Sequence, residues 1–186
     1  MKKYLPIALI GLAIILLLVY VSYQTTNRYS AESTKPMFDA QISEFTEIAQ
    51  LFGQRGPGNF CKVNNGYDVN GDFFNVKQNA YFIGGGPLGD DTETTYEKLL
   101  QNVSLTDSQF HYFKDFLDKT PFVECLEVRM TSSGFTGVEF QLPYPNANVS
   151  QKGFLYVVRG NPNDVKYSDV QKLDTEKWYT FTGETY

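Results

Sequence analysis

The chain has one histidine, one tryptophan and two cysteines among its 186 residues, and fewer basic than acidic ones. Each shortage removes a class of chemistry. A structural zinc site takes four Cys or His ligands, more than these residues supply in any clustered spacing. Nucleophilic catalysis with a histidine base has only His111 to draw on, and a serine–histidine constellation is not otherwise marked. His111 precedes Asp115 by one helical turn, which reads as an exposed i, i+4 pair. The 16 Lys and Arg stand against 21 Asp and Glu, a formal charge of −5. Nucleic acid is therefore not expected as a partner, because its binding rests on clustered cations.

Two motifs look chemical and lack their context. Glycines 84, 86 and 89 in YFIGGGPLGDDTE have the spacing G-x-G-x-x-G. A dinucleotide site also needs a βαβ unit and room for a pyrophosphate. Here Pro87 and Asp90-Asp91 put ring bulk and negative charge at that place, so the stretch reads as a turn leading to a helix capped at Thr94. Asp68-Val-Asn-Gly-Asp72 begins like a calcium loop, yet Phe73 stands where the turn requires Gly and Asn79 where a bidentate Glu belongs. That excludes an EF-hand and leaves Asp68, Asn70 and Asp72 as a turn or a weak, irregular oxygen site. Carboxylate pairs such as Asp90-Asp91 or Glu124 with Glu127 suit glycoside hydrolysis only at a set separation across a cleft. No enzyme activity, cofactor or metal is expected.

What the chain does have begins at its N-terminus. Residues 4–23 carry no charged side chain, and about 20 apolar residues span a bilayer core as a helix. Tyr4, Tyr20 and Tyr23 lie at its two ends, where amphipathic rings sit at headgroup level. Lys2 and Lys3 precede the span, so the positive-inside bias leaves the N-terminus cytoplasmic. The apolar core is longer than that of a cleaved signal, and the ring of Tyr23 occupies a position where cleavage wants small residues. The expected order is a transmembrane signal-anchor over residues 1–23, a polar tether over 24–35 and an extracytoplasmic domain over 36–186. Beyond the anchor 14 basic residues face 21 acidic ones, a formal charge of −7. Cys61 and Cys125 in an oxidising compartment predict one structural disulfide.

The domain reads as α+β, with about three helices packed on an antiparallel sheet of four or more strands. Pro36 is expected to open a helix whose Phe38, Ile42, Phe45, Ile48 and Phe52 form one stripe. Residues 60–76, with Asn-Gly at 65 and 70, predict a weak hairpin or an irregular loop. Thr94-x-x-Glu97 and Thr106-x-x-Gln109 predict two capped helices. After Pro121 the period changes: 122–131, 135–142, 153–159 and 177–182 read as strands. Glu139 and Gln141 alternate with Val138, Phe140 and Leu142, the pattern of a sheet with one wet face. Among the abundant aromatics, Tyr144, Tyr167, Trp178 and Tyr179 are the candidates for an exposed binding face, because rigid rings offer contact area at low entropic cost.

An apolar N-terminal helix, an amphipathic helix and a C-terminal antiparallel sheet with a disulfide is similar in outline to type IV pilin-like subunits. The likeness covers element order only. Gly11 is mid-span and the first glutamate is Glu32, so the processing motif of that family has no counterpart and no residue role carries over. The expectation is a binding or assembly module of the cell envelope, touching lipid through its anchor and another envelope protein through its domain. The alternatives are a small-ligand or glycan receptor, a pilin-like subunit and, least of all, an envelope hydrolase.

Overall fold

A serine pair sets the first boundary. In the computed structural model, which describes residues 14–17, 30–75, 78–84, 92–143 and 150–183, Ser30 caps helix α1 (Ala31–Ala40). Its hydroxyl accepts from the Ser33 amide while Ser33 reaches back to the Ser30 amide, a capping box. Pro36 thus falls inside the helix rather than opening it, which corrects the expected start by five residues. Two satisfied end donors and the burial of Thr34 and Phe38 outweigh the hydrogen bond that proline removes. The chain then breaks at Gln41 (φ −120°, ψ 13°) and resumes as α2 (Ile42–Gly53). The apolar stripe survives the break, with Phe38, Phe45, Ile48 and Phe52 all out of solvent.

Residues 14–17 are helical. The remainder of the expected membrane span lies outside the described residues, and among those described no helix is long and apolar enough to cross a membrane.

Five short strands follow: β1 (Gly58–Val63), β2 (Gly66–Val69), β3 (Asp72–Asn75), β4 (Ala80–Ile83) and β5 (Thr92–Thr94). They form an antiparallel meander, in which β1 to β3 replace the weak hairpin or loop expected over residues 60–76, and residues 81–83, a short strand by their pattern, lie in β4. Asn70 (φ 57°) and Gly71 (φ 89°) make the β2–β3 turn, and two positive φ values are what a right-twisting hairpin needs. Helices α3 (Tyr96–Asn102) and α4 (Asp107–Lys119) come next. The cap of α3 is Thr95, not Thr94, which belongs to β5. The cap of α4 is the expected Thr106–Gln109 box. The second half of the sheet, the second meander, consists of β6 (Cys125–Met130), β7 (Thr136–Gln141) and β8 (Lys152–Arg159), extended by β9 (Tyr167–Lys172) and β10 (Trp178–Gly183) with β10 lying between β8 and β9.

All ten strands make one antiparallel sheet in the order β5-β4-β3-β2-β1-β6-β7-β8-β10-β9. The class is α+β, as the residue pattern predicts, with a larger sheet. The meanders meet where β1 pairs with β6, and Cys61 faces Cys125 across that seam in a disulfide. The helices are crossed over the meanders. α2, which precedes the first meander, packs on β7 and β8 of the second. α4, which precedes the second, sets Phe110 against Phe60, Tyr67 and Phe74 of the first. Neither meander is covered only by the helices that precede it, so the halves share one core. Phe45 is its centre, in ring contact with Phe38, Phe116, Phe122, Phe140, Phe154 and Trp178.

The opposite face of the second meander is not wet. Every residue of β7 is buried, Glu139 and Gln141 included, which corrects the alternation read from the residues. β9 and β10 curl back over this face. Tyr167 on β9 and Glu139 on β7 have β10 and β8 between them, about 14 Å on a flat sheet. Their hydroxyl and carboxylate nevertheless meet at 2.6 Å. Phe135, Leu155, Val157 and Phe181 fill the space beneath the curl. Gly137 makes room for it: a methyl there would stand 2.6 Å from the Phe135 ring and 2.8 Å from Leu155.

Candidate functional site: a groove and an arginine cavity at the seam

Of the side chains chosen from sequence as a binding face, Tyr167 and Tyr179 pack on the same small cluster, and Trp178 lies on the opposite side of the sheet. Trp178 is buried in the core, its indole N–H donating to Thr46 Oγ1 at 3.2 Å, because β10 turns that residue toward the helices. Tyr179 points the other way and packs on the small cluster under the curl. Tyr167 spends its hydroxyl on Glu139. Tyr144 lies outside the described residues.

The curl instead encloses a charged network. Arg129 Nε donates to Glu139 Oε1 at 3.0 Å, and its Nη2 lies 3.2 Å from Glu127 Oε1. Gln141 Nε2 bridges Glu127 Oε2 (2.7 Å) and Glu139 Oε2 (3.0 Å). Glu127 and Glu139 are direct cross-strand neighbours, so the carboxylate pair of the fold is this one rather than Glu124 with Glu127. Burial, and then the Glu139 charge, push the Glu127 carboxyl up against the opposing pull of Arg129 and Gln141. Burial depresses the Arg129 guanidinium, but its bond to Glu139 and the two carboxylate charges outweigh that and raise it. Burial and Glu139 likewise hold the Tyr167 phenol protonated. Glu139 is wholly enclosed, so it meets no substrate. The network is a clamp between β6, β7 and β9.

Other sequence candidates are structural too. His111 pairs with Asp107 (3.4 Å) on the surface, not with Asp115. Asp68 accepts the Gly71 amide at 3.2 Å and Asp72 the Gly84 amide at 3.1 Å, so both carboxylates hold turns. No cluster of three His, Cys, Asp or Glu suited to a metal occurs among the described residues. The glycine run beyond Gly84, with Asp90 and Asp91, lies outside them.

A concave surface lies at the seam of the two meanders. β6 runs on past the start of β1, since Gly58 pairs with Val128 and residues 129–130 continue beyond it. A groove of about 630 Å³ forms there, lined by residues 57–59, Asn70 and residues 127–130. Glu127, Arg129 and Asn59 give it polar edges, while Met130 is 42% exposed in a sheet whose other large apolar groups are mostly buried.

A smaller cavity of about 160 Å³ shares Pro57, Gly58 and Asn70 with the groove. Among the described residues its only charged lining one is Arg55. The guanidinium lies over the Phe52 ring, 5.1 Å from its centre, and Nη2 donates to the Val103 carbonyl at 2.6 Å. Nε is shut from solvent and has no acceptor. No carboxylate among the described residues pairs with Arg55, and burial alone lowers its pKa. Asn70 is held by a reciprocal pair: the Asn59 amide donates to its Oδ1 (2.8 Å), and its own amide donates to Asn59 Oδ1 (2.7 Å). Gly58 passes directly beneath it, and a methyl there would collide with Asn70 Oδ1. No motif in the sequence marks Arg55, which lies in the loop between Gly53 and Gly58. An arginine flanked by glycine and proline after an apolar helix was the available signal, but only the fold brings Asn70, Asn102 and Ser104 round it.

No known protein family, curated protein or solved structure matches the chain.

Proposed function

We propose that this chain is a binding or assembly module of the cell envelope, tethered by its N-terminal apolar helix with the α+β domain outside the cytoplasm, and that it holds its partner in the seam groove. One observation carries the reading. A groove of about 630 Å³ with charged, amide and exposed apolar lining sits on a disulfide-stapled sheet, next to a half-buried arginine that no carboxylate among the described residues neutralises. Such mixed linings fit recognition, with the apolar part supplying area and the polar edge supplying register. The uncharged run over residues 4–23 and the leading lysines support the tether. Anchoring raises local concentration, so a shallow groove is sufficient.

A photo-crosslinking amino acid at Met130, compared with one at Lys166, tests the surface in intact cells. The expected result is a discrete adduct with one envelope protein at position 130 and none at 166. Equal labelling at both positions removes the groove from consideration. Phosphatase and green-fluorescent reporters fused at the C-terminus test the location, with active phosphatase and a dark fluorophore expected. The small-ligand alternative has its own support in the enclosed shape of the Arg55 cavity.

A further inference from the structure

We infer that the Arg55 cavity is a receptor site for a single carboxylate, carried either by the free C-terminus of a peptide or by a small organic acid. This rests on the seam being the binding surface and is independent of membrane attachment.

The argument starts from charge. A guanidinium with five N–H groups normally meets carboxylates or several carbonyls. Among the described residues Arg55 has the Val103 carbonyl as its one acceptor and the Phe52 ring as its support. Partial burial leaves that cation incompletely compensated, and no carboxylate among the described residues is bonded to it. An anion in the cavity restores the balance. Its charge is fixed by the neighbours. One cation neutralises one negative charge, and Asn102, which lines the cavity, is bound to the buried Asp72 carboxylate. A dianion would therefore leave an excess negative charge beside Asp72, in a domain already acidic. A carboxylate fits, and a phosphate dianion does not.

Donors complete the site. Because Asn70 Oδ1 accepts the Asn59 amide, its Nδ2 is the end left to donate. The Ser104 hydroxyl, on a residue held at φ 52°, is the second. The volume of about 160 Å³ corresponds to roughly five waters at about 30 Å³ each, enough for a carboxylate and a few carbons. The shared wall of Pro57, Gly58 and Asn70 then leads any longer ligand out into the groove.

The test uses the full chain in a non-ionic detergent, following the Arg55 Nε–H resonance by NMR. The titrants are acetate, inorganic phosphate at a pH where it is a dianion, and one short peptide with a free or an amidated C-terminus. Acetate should shift the resonance saturably, and phosphate should not at equal ionic strength. Removing a charge-assisted hydrogen-bonded partner costs about 10- to 100-fold in affinity, so Arg55→Gln should lose the response in its backbone amides by that factor. Gly58→Ala, which keeps Arg55 but drives Asn70 out of place, should weaken it too, so that a misfolded Arg55→Gln does not decide the matter. Tighter binding of the free-acid peptide than of acetate, lost on amidation, identifies a peptide terminus. Equal binding of acetate and the free-acid peptide identifies a small acid. A response that survives in both variants, phosphate binding as tight as acetate, or no saturable shift overturns the proposal. None of these outcomes depends on where the protein resides, so failure here is separable from failure of the reporter fusions.

Discussion

The first meander is built from strands of three to six residues, and much of β3 to β5 is half-exposed. The central strands of the second have six to eight residues, and β7 is buried along both faces. One sheet thus contains a pliable half and a rigid half. The rigid half excludes water twice, by aromatic rings beneath the helices and by the Arg129–Glu139–Tyr167 network beneath the curl. The pliable half contributes Asn59, Asn70 and Gly58 to the candidate site, and the rigid half contributes residues 127–130. A recognition surface placed where a thinly packed element meets a densely packed one can adjust on one side while register is kept on the other.

The largest predicted effect falls on the rigid half. Arg129→Ala leaves Glu139 buried without its cation, and breaking such a pair costs about 3–5 kcal/mol. Phe45→Ala, in α2 against the other face of the sheet, costs a similar amount, about 3–5 kcal/mol, through a cavity. The two losses differ in how they are recovered. Replacing Arg129, Glu139 and Tyr167 together by Met, Leu and Phe should restore most of the first, since an apolar substitute of similar volume removes the desolvation cost of the charges. Urea denaturation of the single and triple variants checks this. If the triple variant is no more stable than Arg129→Ala, the network contributes more than it costs, and the two faces are not equivalent.

The seam comes next. Cys61 and Cys125 are 64 residues apart, and closing a loop of that length restricts the unfolded chain by up to about 4 kcal/mol in the entropy model. Cys61→Ser with Cys125→Ser should lower the denaturation midpoint accordingly. Hydrogen exchange should rise first at β1 and β2 and least at β7. Uniform loss of protection across both meanders would show that the halves unfold as one unit and that the contrast between them is only one of exposure.

Parts of this contrast are written in the residues. The Thr106–Gln109 box, the change of period after Pro121 and the disulfide all follow from local signals, and the fold carries them. The first meander was harder to see because its strands are too short to alternate more than once or twice, and its turn residues outweigh its apolar ones. The β7 pattern misled for a different reason. Glu139 and Gln141 have the polarity of a wet face, and their burial depends on Tyr167, nearly thirty residues away. The cavity was hidden likewise: Arg55, Asn70 and Asn102 come from three loops or helix ends, and no spacing rule connects them.

The smallest effect concerns how the pliable half is fastened. Asp118 on α4 accepts from Lys62 on β1 (2.7 Å), Tyr67 on β2 (2.6 Å) and Lys114 (2.9 Å). Burial pushes its carboxyl up, but these bonds outweigh burial and bring it to about 2, from an ordinary 3.8. A depressed folded pKa contributes stability that is present above 3.8 and is lost as pH falls toward 2. Asp118 keeps about a third of its exposure, so screening limits the effect to about 1 kcal/mol. Asp118→Asn should therefore destabilise by about that amount at neutral pH and by only a small part of it at pH 2, where the carboxyl is half protonated. The loss should appear as faster exchange in β1 and β2 while β7 is unchanged. A pH-independent difference between Asp118→Asn and the parent would mean that hydrogen bonding alone fastens α4 to the first meander, with charge contributing nothing.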